Sequence, residues 1–109
     1  MFEWHGWATV DTSQEQEEQV RRLLAEAGGI ANETVDSRWA NGMLQVWLAG
    51  SHNHRDESVI ELFRSIAELA PDSYGVLYAL EHGVGTRWDR WVMQRGSVVL
   101  EPDTSLYVD

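Results

Sequence analysis

The dipeptide Asn41-Gly42 constrains this chain more than any other feature. It separates two runs with strand character, Thr34 to Ala40 and Met43 to Ala49. A two-residue type I′ turn needs positive φ at both central positions, and Asn followed by Gly tolerates that best. The segment is therefore expected to be a β-hairpin, which commits the fold to an antiparallel sheet. In the second arm Leu44, Val46 and Leu48 fall on one face, with Met43, Gln45, Trp47 and Ala49 on the other.

The remaining elements follow from their periods. Met1 to Val10 alternates, with Phe2, Trp4, Ala8 and Val10 on one side and Glu3, His5, Trp7 and Thr9 on the other, the pattern of a half-buried strand. Thr12 with Glu15 and Ser13 with Gln16 are overlapping capping boxes, and Val20, Leu23, Leu24 and Ala27 share a helical stripe. The spacing predicts a helix from about Gln14 to Ala27, stopped by Gly28 and Gly29. A second helix over Asp56 to Leu69 aligns Val59, Ile60, Phe63, Ile66, Ala67 and Ala70, and Pro71 ends it. Tyr74 to Glu81 reads as a strand, Gly83 to Gly85 as a turn and Arg87 to Arg95 as the antiparallel partner. Gly96 marks a bend or bulge before Ser97 to Glu101. The order β-α-β-β-α-β-β points to an α+β domain of the ferredoxin-like, split βαβ kind with an added C-terminal hairpin strand. Both helices then cover one face of the sheet and leave the other open.

At 109 residues the chain fits one domain, residues 1–109, with no linker. Cysteine is absent, which removes disulfides, thiolate metal ligands and a thiol nucleophile together. The first ten residues lack a basic start and an apolar run, so no signal peptide is expected. No stretch approaches the ~18 apolar residues of a membrane span. The reading is a cytoplasmic protein. Eighteen acidic side chains face eight basic ones, giving a net charge of -10. Every basic residue is Arg. Such a field repels nucleic acid and anionic membranes and steers basic partners inward.

Six Trp residues are the other compositional signal, because Trp anchors interfaces as well as cores. The open face is expected to collect His5, Trp7, Gln45 and Trp47, with Trp88 or Trp91 from the last strands. Such a sheet resembles in outline the platform on which RNA bases stack, but this chain has no basic stripe to hold phosphates. The loop Ser51 to Arg55 contains His52, Asn53 and His54, followed by Asp56 and Glu57. Two imidazoles beside carboxylates could bind a metal or ligand, yet no established metal motif accompanies them, and capping by Asn53 or Asp56 explains the same residues. Ser51, His52 or His54, and Asp56 supply the residue types of a hydrolytic triad without a G-x-S-x-G elbow. The expectation is no enzyme and no cofactor or metal, with a small metal- or ligand-binding domain using the His52/His54 loop as the alternative.

Several segments, in order, carry a resemblance: Met1-Phe2-Glu3-Trp4-His5-Gly6-Trp7-Ala8, Asn53-His54-Arg55, Glu61-Leu62-Phe63, Ile66-Ala67-Glu68-Leu69-Ala70-Pro71, Ser73-Tyr74-Gly75-Val76-Leu77-Tyr78 and Arg95-Gly96. Across roughly residues 1 to 103 the chain resembles the immunity protein 7 family of bacterial polymorphic toxin systems. The resemblance implies a protein made beside a toxin, which it holds inactive to protect producer or sibling cells. A basic toxin domain such as a nuclease suits the charge. The chain departs from the family pattern in a tail, Thr104 to Asp109, without Pro, and in the short Gly83 to Gly85 turn. Gly6 and Gly75 are expected at close-packed or bulged strand positions, and Tyr74 and Phe63 in the core. The residues chosen for toxin contact are Trp7, Trp47, His54, Arg55, Trp88 and Asp89, for aromatic anchoring, loop position and charge. A monomer or weak homo-dimer is expected, pairing in the latter case through a sheet edge or the aromatic face.

Overall fold

The structure, a computed structural model, describes residues 1–27 and 33–107. Its elements are β1 (Phe2–Val10), α1 (Gln14–Ala27), β2 (Glu33–Ala40), β3 (Met43–His52), α2 (Ser58–Leu69), β4 (Tyr74–Glu81), β5 (Arg87–Gln94) and β6 (Ser97–Tyr107). The strands form one sheet in the order β2-β3-β1-β4-β5-β6, and every neighbouring pair is antiparallel. The architecture is α+β.

The β2-β3 hairpin turns on Asn41 (φ 56°) and Gly42 (φ 77°), and Ala40 pairs with Met43 across it. A second tight turn differs from expectation. Arg95 (φ 55°) and Gly96 (φ 78°) make a two-residue connection that pairs Gln94 with Ser97, so the chain reverses there instead of bending. Glycine suits position 96 on two counts: its φ of 78° disfavours a side chain, and a Cβ would sit tightly, 3.3 Å from Pro71 Cβ. The last strand consequently runs to Tyr107, well beyond Glu101.

Of the two overlapping capping boxes, the backbone uses Ser13 with Gln16. Ser13 Oγ accepts from the Gln16 amide and Gln16 Oε1 from the Ser13 amide, both at 3.3 Å. Val20 and Leu24 are buried and Leu23 packs at the core margin. Ala27's side chain and the Gly28-Gly29 stop lie outside the described residues. Helix α2 begins at Ser58, not Asp56: Glu57 occupies the N-cap position without a side-chain cap bond, and Asp56, one residue earlier, accepts from the Ser58 amide through Oδ1 at 2.9 Å. All six of its predicted core residues are buried, Leu62 joins them, and the Ala70 amide closes the helix on Ile66 O. Fully buried side chains such as Phe63 and Ile66 each contribute ~2 kcal/mol by transfer from water.

Alternation sends Phe2, Trp4, Ala8 and Val10 of β1, Leu44, Val46 and Leu48 of β3, Leu77 and Ala79 of β4, and Trp91 and Met93 of β5 into one core cluster with Val20, Leu24 and the α2 residues. Both helices therefore pack on the same sheet face. Gly6 and Gly75 point into this layer at close approaches. A Cβ on Gly6 would lie 2.8 Å from Val76 O, and one on Gly75 would run into the Trp7 carbonyl and Ala8 Cα.

Where β5 meets β6 the register slips. Asp89 opposes Pro102 while Arg87 opposes Tyr107, so Asp103 to Leu106 bulge against Trp88. Asp103, 1% exposed, organises the bulge by accepting the amides of Ser105 (3.2 Å) and Leu106 (2.8 Å) and the Ser105 hydroxyl. The Leu106 amide, with help from Ser105 and Arg90, holds its carboxyl below the ordinary value of 3.8. Bonds from Ser58 lower Asp56 from the same value, and bonds from His5 and His82 lower Glu3 from 4.5. Folded-state pKa values below unfolded ones give stability that is present above the ordinary carboxylate range and lost as pH falls through the folded values. Thermal melts should accordingly show a midpoint that drops as pH falls below 4.5. Asp103→Asn should show a lower midpoint near neutrality and a shallower acid limb than the parent. Parallel acid limbs would remove Asp103 from the account.

Candidate functional site

Among the described residues no element covers the face away from the helices, and the register arranges its side chains in rows. One row crosses the sheet from β3 to β6: Trp47 opposite Trp7, Trp7 opposite Val76, Val76 opposite Val92 and Val92 opposite Val99. Five apolar side chains thus form a continuous stripe over five strands. Trp7 (42%), Trp47 (43%) and Val99 (55%) are well exposed. Scattered apolar residues are ordinary on a surface, whereas a contiguous stripe marks a place where something docks. Tyr74 meets Trp7 edge-on at 6.2 Å and widens the stripe. It is 48% exposed, contrary to the expected core position, because Thr9, its partner on β1, belongs to the open face.

The neighbouring row contains Thr34, Ala49, His5, Tyr78, Arg90 and Glu101. Between the two rows lies an open depression of about 350 Å3 lined by His5, Trp7, Trp47 and Tyr78 over a floor that includes Gly6 and Ala49. A second depression, about 340 Å3, continues past His5, Thr34 and Ala49 to Glu3, Gly50 and Ser51. Glu3 accepts from His5 Nε2 at 2.6 Å and from His82 Nε2 at 2.7 Å. These two bonds, that of His5 the larger, hold the carboxyl below its ordinary value of 4.5. His5 also packs against Trp88 at 5.8 Å.

The six residues chosen from sequence separate into two groups. Trp7, Trp47 and Trp88 share the open face, whereas Asp89 points to the helix side, as do its strand-mates Trp91 and Met93. Arg55 lies over the Phe2 ring at 5.4 Å, pairs with Glu57 and feels Asp89 and Glu81, which raise its pKa after the Glu57 bond. His54 is exposed on the loop between β3 and α2. Of the two Trp considered for the open face, Trp88 is there; Trp91 is 8% exposed in the core with Arg64 across its ring at 5.2 Å. Trp39, as exposed as Trp47, shares the helix-side register of Leu44 and donates its indole N–H to Glu17 at 2.7 Å.

His52 is taken up structurally: its Nδ1 lies 2.8 Å from Asp56 Oδ2 and its ring meets Trp4 at 5.0 Å. Among the described residues no group of three or more His, Asp or Glu has an arrangement that would hold a metal ion, and no helix is long and apolar enough to cross a membrane. Val76, Val92, Val99 and Tyr74 had not been singled out for contact. Alternation from Trp7 would have found them had the pairing register been known.

The family model described as Immunity protein 7 matches residues 1–107. No curated protein and no solved structure matches the chain.

Proposed function

The chain belongs to the immunity protein 7 family, and we propose that it binds and neutralises the cognate toxin of a bacterial polymorphic toxin system, without catalysis. The observation that carries the reading is the uncovered stripe from Trp47 through Trp7 to Val99. Large aromatic groups held rigidly by a sheet lose little entropy on docking, which makes such a stripe a natural interface centre. Trp7, Trp47 and Trp88 are the contact residues on this face. Asp89 faces the helix side and Arg55 lies over Phe2, so neither is a central contact of this face, and His54 joins the contacts from the loop between β3 and α2.

The net charge of -10 favours a basic toxin domain, such as a nuclease, and speeds encounter by electrostatic steering. The protein acts in the cytoplasm as a monomer or weak homo-dimer. The first four strands, ordered β2-β3-β1-β4, are read as a ferredoxin-like split βαβ unit, with β5 and β6 as the appended hairpin; this extension widens the open face. The expected interface is of the ordinary size, ~1,200 to 2,000 Å2 in total.

Titrating the protein against the product of the adjacent toxin gene tests the reading. Complex formation and loss of toxin activity should reach their end point together at equivalence. A toxin that remains active and unbound at about micromolar concentration would overturn it, and inhibition at far below one equivalent would point to catalysis instead.

A further inference from the structure

The two depressions on the open face share His5, Thr34 and Ala49 as lining residues, and so form one trough with an aromatic end and an anionic end. Trp7, Trp47 and Tyr78 wall the first, and Glu3 stands in the second. We infer that this trough receives an arginine side chain of the partner, stacked against the aromatic walls with its guanidinium directed to Glu3. The inference rests on the toxin-binding reading and names the group that the toxin presents.

Three features of the trough fit that group. First, the floor beside the aromatic walls is small: Ala49 lies with Trp7, Trp47 and Tyr78 in the first depression. Guanidinium stacks on aromatic faces more readily than ammonium because it is flat and weakly hydrated. The protein already uses such pairing, with Arg38 at 5.9 Å from the centroid of the Trp47 ring and Arg64 and Arg55 over other rings. Second, the Glu3 carboxylate is pre-positioned. Each of its oxygens accepts one imidazole bond, and the His82 amide is itself tied to Met1 O at 2.8 Å. A carboxylate has about four acceptor sites, so two remain for a fork of N–H donors. Third, the two arginines next to the aromatic walls, Arg38 beside Trp47 and Arg90 opposite Tyr78, are already engaged. Arg38 is 3.6 Å from Asp36, and Arg90 is 2.9 Å from Glu101 and 4.0 Å from Asp103.

The test needs no toxin. The 15N-labelled protein is titrated with acetyl-Gly-Arg-Gly-amide and, separately, with the same peptide carrying citrulline, which keeps the shape and removes the charge. The arginine peptide should produce saturable shifts, with dissociation in the millimolar range, at the Trp7 and Trp47 indole N–H signals and the Ala49 amide. Citrulline should bind at least ~5-fold more weakly, and Glu3→Gln should remove that preference while leaving the spectrum folded. Equal binding of both peptides, no saturation, or shifts confined to other residues would each overturn the trough. Such a failure leaves the stoichiometric titration to judge toxin binding by itself, so the two readings fall separately.

Discussion

Gly75→Ala should lower the unfolding midpoint by roughly 10 to 20 °C, the largest stability loss we expect from any single methyl group in this chain. The cause is local and steric. Gly75 sits on β4 directly opposite Ala8 of β1, and an added Cβ would meet the Trp7 carbonyl oxygen, Ala8 Cα at 2.7 Å and Ala8 Cβ at 3.0 Å. Two of those three atoms are backbone, so no rotamer change relieves the clash. Either β4 moves away from β1, breaking the central pairing of the sheet, or both strands distort. Overpacking typically costs about 1 to 3 kcal/mol, and a clash with backbone falls at or above the upper end. A domain of this size has only about 5 to 15 kcal/mol to lose. Gly85→Ala is the matched control: nothing lies within 4 Å of its Cβ position and its φ is not in the left-handed region, so its midpoint should stay within a few degrees, about 0.5 kcal/mol. If thermal melts of Gly75→Ala coincide with those of the parent, the β1-β4 spacing described above is wrong.

That close approach illustrates which parts of the fold were legible in the sequence. Local rules sufficed for the Asn41-Gly42 turn, for α1 to the residue, and for the buried stripe of α2, because each is decided by neighbours within a turn or two of chain. Face assignment on β1 and β3 was equally direct, since alternation needs no partner. Pairing register is different. The row Trp47, Trp7, Val76, Val92 and Val99 exists only once four strand pairs are aligned, and no residue in it announces its neighbours. Trp88 and Trp91 are three apart on one strand, so parity placed them on opposite faces, but the choice between faces awaited Leu77 opposite Trp91. Asp89 was selected for its charge, and the same parity put it behind the sheet. Tyr74, a residue of the family-like segment expected in the core, is exposed by its register with Thr9. Gly96 alone suggested a bend or bulge, whereas Arg95 also takes a positive φ and the two residues make a turn. There the backbone demand of a two-residue hairpin outweighs the residue's own preference.

Trp7→Ala and Trp47→Ala should each weaken the toxin complex by ~2 to 4 kcal/mol, or about 30- to 1,000-fold in Kd, measured by calorimetry or from dissociation rates. Both side chains are more than 40% exposed, so their loss leaves the helix-side core intact and the variants should melt close to the parent. They stand directly opposite each other across β1 and β3. The double variant should therefore lose less than the sum of the two single losses, because removing one ring already loosens the packing of the other. Trp39 supplies a discriminating control. It is 43% exposed, the same as Trp47, but shares the other face and is bonded to Glu17. Trp39→Ala should change Kd by no more than about twofold, within the scatter of peripheral contacts. Added salt should reduce the association rate of the parent and of all three variants alike, since steering depends on the net charge and not on the rings. The assignment to the open face is reversed by the opposite pattern, in which Trp39→Ala weakens the complex while Trp7→Ala and Trp47→Ala leave it unchanged. The two faces carry equally exposed indoles, so exposure alone cannot produce the expected asymmetry. Only the position of the partner can.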